Sequence, residues 1–153
     1  MFQYLRGFNL LLAAVAVTAP MAHVLELPNK LALDGPIWLA IQQSLYRGWG
    51  PIFGPVEIVA LLTAIALGVA RRGNPPSLWR TILAAAGYAA MLGAFFAFNE
   101  PVNSAVTRWT ADSLPPDWPD YRLQWEIGHA LSAALSIVAL SALIGACWRD
   151  EAA

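Results

Sequence analysis

Charge is what this chain has least of. Only 12% of its 153 residues are Asp, Glu, Lys or Arg, whereas 58% are hydrophobic. A water-soluble domain carries about a quarter charged residues, so the sequence reads as one integral membrane domain. The single cysteine, Cys147, excludes an internal disulfide and a thiolate metal cage. With a net charge of −1 the chain also lacks the basic face that a nucleic-acid partner needs, and none is expected. No serine-nucleophile elbow, phosphate loop or dinucleotide-binding glycine fingerprint is present, nor any internal repeat. The first apolar run is preceded by one basic residue, Arg6, and exceeds the ~7–15 residues of a signal-peptide core. It is read as a retained helix.

What the sequence does contain is four apolar runs, at about residues 5–27, 52–70, 78–98 and 123–148. Each approaches or exceeds the ~20 residues that a helix needs to cross a bilayer. The expected fold is all-α: a four-transmembrane-helix bundle with a short interfacial helix at about residues 36–48. That helix follows the Asp34-Gly35-Pro36 turn and is too short and too polar to span. Pro28 is expected to end the first span, and Pro101 the third. Ala85, Ala86, Gly87, Ala89 and Ala90 suit close helix packing.

Four crossings place the ionisable residues without further assumption. His23 and Glu26 fall at the far end of span one, Glu57 at the start of span two, Asn99 and Glu100 at the end of span three, and Glu126 and His129 at the start of span four. All of these ends lie on one side of the membrane. Arg6, Arg71, Arg72, Arg80 and Arg149 sit on the other side, in short loops near span ends. The positive-inside rule then puts both termini in the cytoplasm, with the cell membrane as the expected location.

Charged groups at membrane depth are costly and usually functional. His23/Glu26 and Glu126/His129 are each three apart, hence on one helix face. With one glutamate each from spans two and three, Glu57 and Glu100, they match the ligand inventory of a di-metal carboxylate bundle, which iron or manganese would suit, with His23, Glu26, Glu57, Glu126 and His129 as the candidate ligands; a cluster without any cofactor is the alternative. Glu126 could equally be a helix-terminus charge, Arg122 and Glu126 an i,i+4 pair, and Glu26 and Lys30 an ordinary interfacial pair. His129, one turn deeper, has no such simple explanation. Asn99 and Asn103 either satisfy backbone freed at Pro101 or orient a polar ligand group. Trp125, one turn before His129, is expected to wall a pocket if one is present.

An ordered set of short motifs resembles the anthrone oxygenase-like family of small four-helix membrane proteins, most of whose members have no assigned substrate. The set comprises His23-Val24-Leu25-Glu26-Leu27-Pro28-Asn29-Lys30, Tyr46-Arg47-Gly48-Trp49, Pro101-Val102-Asn103 followed by Trp109, and Arg122 with Trp125-Glu126 and His129. It covers nearly the whole chain. Ser132 stands where many members carry an arginine. The resemblance implies oxidation of a lipophilic polycyclic anthrone to a quinone by molecular oxygen. His129, Glu126 and His23 would then be the candidate acid–base residues, and Asn103 or Arg122 would stabilise the enolate. Trp125, Asn99 and Trp49 become candidate substrate contacts. The competing expectation is a non-enzymatic binding or accessory protein whose polar cluster pairs with itself. The apolar exterior implies a lipid partner and also admits a homo-oligomer.

Overall fold

The computed structural model describes residues 2–151 and, among them, contains helices and no strand. The helices are α1 (Phe2–Leu31), α2 (Gly35–Ser44), α3 (Gly50–Ala70), α4 (Pro75–Ala94), α5 (Glu100–Val106) and α6 (Trp118–Glu151). A π-helical turn, Phe95–Asn99, joins α4 to α5 without a break, and one 3₁₀ turn, Ala111–Ser113, interrupts the connection to α6. Four stretches are long and apolar enough to cross a membrane: α1, α3, the continuous α4–α5 rod and α6. In the bundle, α6 packs on α1 and α4, and α3 packs on α1 and α4 from the other side.

Small residues let these helices approach closely. Ala13 and Ala16 of α1, Ala60 and Ala64 of α3, Ala84 of α4 and Ala139 of α6 are fully buried around Tyr88, Met91 and Leu143. Gly87 marks the tightest crossing: a Cβ there would meet Ala139 Cβ at 3.2 Å and the Leu135 carbonyl oxygen at 3.3 Å. Ala86, Ala89 and Ala90 are on the outer face of α4 instead. Without a hydrophobic drive between helices in lipid, such van der Waals contact and interhelical hydrogen bonds hold the bundle. One such bond runs from Asn9 Nδ2 of α1 to the Ala60 carbonyl of α3, 3.0 Å.

Three boundary shifts bear on the site. Helix α1 runs through Pro28 to Leu31. Proline removes one N–H and crowds the carbonyl four residues back, but so near the helix end that cost is offset by what the last turn reaches. Lys30 is buried there, and Arg122 Nη1 caps the carbonyls of Lys30 and Leu33 at 3.1 and 3.0 Å. Likewise Pro101 does not end the third span. It follows the π turn by two residues, and the altered hydrogen bonding of that turn carries the rod past the missing N–H. Finally, α6 begins at Trp118 rather than Leu123; at 1.5 Å per residue it is about 50 Å long, well beyond a ~30 Å hydrocarbon core.

The overhanging start of α6 supports a second, smaller core. Helix α2 is capped by Asp34, whose Oδ1 accepts from Ile37 N at 2.9 Å. It is held by a core of its own: Trp38 and Leu39 are buried with Val102, Val106 and Trp125, under Leu114 and Trp118. Gln43 Nε2 donates to the carbonyls of Val106 and Trp109, both at 2.8 Å, and pins α2 to the end of α5.

The opposite end of the bundle is closed by a polar clasp. Arg71, expected in a short loop at a span end, is 2% exposed. Its guanidinium pairs with Asp150 and donates to Thr81 Oγ1 at 2.9 Å, and the Phe2 ring lies 5.6 Å away.

Candidate functional site

At the other end α1, α6 and the turn after α2 meet around two imidazoles. Residues 23, 26 and 30 lie on one face of α1, and residues 122, 125, 126 and 129 on one face of α6. The rings of His23 and His129 are 4.0 Å apart between centroids. Trp125 stands edge-on to both, 4.6 Å from His23 and 4.2 Å from His129. Tyr46 and Trp49 close the far side of His23, at 4.6 and 5.0 Å.

Behind the imidazoles is a buried ion pair between Lys30 Nζ and Glu126 Oε2, 2.8 Å apart. Lys30 is 3% and Glu126 4% exposed. The same ammonium lies 3.5 Å from His23 Nδ1 and 4.9 Å from the Trp125 ring centroid. Glu26 is turned outward and accepts from the Tyr46 hydroxyl. Burial, and then that bond to the Glu26 carboxylate, push the Tyr46 phenol up from its usual range, so it stays a donor. Glu126 Oε1 has no hydrogen-bond partner among the described residues.

In front of the imidazoles opens a cavity of about 940 Å³. His23, His129, Trp125 and Trp49 line it, with Glu57 on α3 and Asn99, Glu100 and Asn103 from the α4–α5 rod. Phe53, Ile58, Phe95 and Phe96 form its apolar rim. Ile58 and Phe96 are exposed on the bundle surface, so the rim reaches the lipid-facing side between α3 and the π turn. Gln42 also lines the cavity, and its Nε2 is buried with no acceptor among the described residues. A buried amide donor left unpaired costs about 1–3 kcal/mol, which suits a wall that meets a polar ligand.

The π turn sets the two asparagines. It swings Asn99 against α6, where Nδ2 donates to the Trp125 carbonyl at 2.9 Å. Gln124 Nε2 satisfies the Phe98 carbonyl at 3.0 Å. One turn on, Asn103 Oδ1 accepts from Trp125 Nε1 at 3.0 Å. Indole N–H only donates, so the oxygen must face it, and the Asn103 NH₂ is left for the cavity. Gly128 makes the fit possible: a Cβ there would overlap the Asn99 carboxamide. Gly128→Ala is expected to expel Asn99 and cost about 1–3 kcal/mol, the usual penalty for overpacking. Thermal unfolding of the purified variant in detergent measures this; an unchanged midpoint would mean that the site relaxes freely.

The structure therefore brings together His23, His129, Trp125, Trp49, Asn99, Asn103 and Glu57, all around one cavity. Glu126 and Arg122 lie behind it and do not line it. The Arg122–Glu126 pair is not formed, because Arg122 is drawn to the α1 carbonyls, over the Trp118 ring at 4.6 Å. The Glu26–Lys30 pair is not formed either. The expected di-metal ligand set of His23, Glu26, Glu57, Glu126 and His129 is not assembled: among the described residues no three His, Cys, Asp or Glu side chains are placed to hold a metal ion. Lys30 takes Glu126 Oε2 and approaches His23 Nδ1, while Glu26 is turned outward to Tyr46. Lys30 and Gln42 were not anticipated as site residues. Their signal was positional, Lys30 standing seven after His23 on the same face and Gln42 four after Trp38. No protein-family model, curated protein or solved structure matches this chain, so its own geometry carries the functional reading.

Proposed function

We propose that the protein is a membrane oxidoreductase of the anthrone oxygenase type. It oxidises a flat, lipophilic aromatic ketone with molecular oxygen in the His23/His129 cavity. The observation that carries this reading is an imidazole, His129, facing a large aromatic and apolar cavity whose few polar groups are donors and bases. A self-paired structural cluster, as an accessory protein would have, needs no such cavity.

The chemistry uses groups already in place. A neutral imidazole carries one ring nitrogen with a free lone pair, which can accept a proton as a general base does. It removes a proton from the carbon flanked by the aromatic rings, opposite the ketone. The electron pair delocalises onto the ketone oxygen, and the Asn103 NH₂ donates to that oxygen as charge develops. The carbanion adds oxygen, and the resulting peroxide takes up the proton. Loss of water from the hydroperoxide leaves the new carbonyl. The balance is one CH₂ and one O₂ converted to one C=O and one H₂O. The aromatic walls exclude bulk water, and the rim between α3 and the π turn admits substrate from the bilayer. The excess of arginines at the Arg71 end supports a cell-membrane orientation with the cavity facing away from the cytoplasm.

Purified protein in detergent, mixed with an anthrone in an oxygen electrode, is expected to consume one oxygen per quinone formed, without hydrogen peroxide. Uptake at the rate of spontaneous autoxidation would refute the reading.

A further inference from the structure

We infer that Lys30 divides the labour between the two histidines. By donating to His23 Nδ1 it holds His23 as the neutral tautomer with its proton on Nε2, a hydrogen-bond donor, and so leaves His129 as the base. The second half of this rests on the oxygenase reading; the first does not.

The argument starts from the needs of a buried ammonium. Lys30 Nζ carries three N–H donors and no acceptor, and it is almost wholly removed from solvent. One donor goes to Glu126 Oε2 at 2.8 Å. The faces of Trp125 and Tyr46, with centroids at 4.9 and 5.9 Å, offer cation–π attraction. The remaining hydrogen-bonding atom within reach is His23 Nδ1, at 3.5 Å. An unmet donor on a buried charge is expensive, so that nitrogen must present its lone pair. A lone pair on Nδ1 of a neutral ring puts the proton on Nε2.

A rival partner exists. Glu26 Oε2 lies 3.6 Å from the same Nδ1, and pairing with it would require a proton there. Glu26 needs that bond less. Its side chain is 40% exposed, and the same oxygen already accepts from Tyr46. The two demands on Nδ1 are incompatible, and the buried cation has the larger loss to avoid. Arg122 adds no competing donor, since it is spent on the α1 carbonyls. His129 faces His23 from α6, and Glu57 lines the cavity from α3. With Nδ1 occupied, His23 has no basic nitrogen left for substrate. Its remaining polar atom is an N–H, suited to an oxygen that gains negative charge.

The two histidines are the only ones in the chain, which makes the test clean. Protein labelled with ¹⁵N-histidine is examined by long-range ¹H–¹⁵N correlation in micelles, without substrate, and His129→Gln assigns the signals. His23 is expected as a single tautomer, with the strongly downfield shift of a bare Nδ1 and a protonated Nε2. Glu26→Gln should leave this pattern unchanged, and Lys30→Met should abolish it. A protonated Nδ1 in the wild type, or a switch caused by Glu26→Gln, overturns the inference. So does an unchanged spectrum in folded Lys30→Met; if that variant does not fold, the wild type and Glu26→Gln decide. Because no turnover is involved, absence of oxygen uptake sinks the oxygenase reading and leaves this result standing. With turnover, His23→Gln should retain more activity than His129→Gln; the reverse order refutes the assignment of the base.

Discussion

Replacing His129 by alanine is expected to lower anthrone-dependent oxygen uptake by about 10²–10⁴-fold, the usual contribution of a positioned general base. The fold should survive. His129 is half-buried at a cavity wall, not packed in the alanine-rich core, and no hydrogen bond within the protein depends on it among the described residues. Removing the ring enlarges an existing space instead of opening a void in close-packed surroundings. Circular dichroism and the gel-filtration profile of the variant should therefore match the wild type. A metal-ligand role would predict a different companion loss, with Glu126→Gln falling as far as His129→Ala. The position of Glu126 behind the cavity predicts a smaller kinetic effect there. Undiminished uptake by folded His129→Ala would remove this residue from the mechanism.

The bundle and its one-sided polar chamber were legible because both follow from hydropathy and alternation alone. Four apolar runs force the ends that carry His23, Glu57, Asn99 and His129 to one face, whatever the details of packing. The details turned on backbone effects that a single sequence shows poorly. Pro28 reads as a stop, yet α1 continues one more turn, and that turn delivers Lys30 to Glu126. Asn99-Glu100-Pro101 also reads as a stop. The π turn absorbs the strain instead, and its extra residue aims Asn99 at α6; such turns often mark functional sites. The paired Glu and His residues invited a metal because their spacing is right and their partners were unknown. An ammonium satisfies the same carboxylate, and only the fold shows which cation is there. The polar and apolar pattern of this stretch does give a short helix between the first two spans. That Trp38 is buried could not be read from it, because the covering residues, Leu114 and Trp118, come from the last connection and the start of α6, far along the chain.

The largest effect on stability is expected at the ion pair. Glu126→Ala should destabilise the protein by about 3–5 kcal/mol, because it strands the Lys30 ammonium in a site 3% exposed. The attraction itself is not the source of that loss. Taking two ions out of water costs nearly as much as their pairing returns, and breaking a buried pair from one side leaves only the cost. The single substitution also exceeds an ordinary cavity-forming change, since His23 Nδ1 alone cannot stand in for a carboxylate. Two comparisons separate these terms. Glu126→Gln keeps an acceptor near Lys30 but not the charge, and should fall between wild type and Glu126→Ala. Lys30→Met combined with Glu126→Leu removes both ions and fills the space, and should recover most of the loss or exceed the wild type. Reversible unfolding in mixed micelles, followed by tryptophan fluorescence, measures all three. If the double variant were as unstable as Glu126→Ala, the pair would contribute through specific packing with Trp125 and Tyr46, and not through charge compensation. If it is stable but no longer holds His23 in one tautomer, the ion pair is retained for the site it organises, at no gain to the fold.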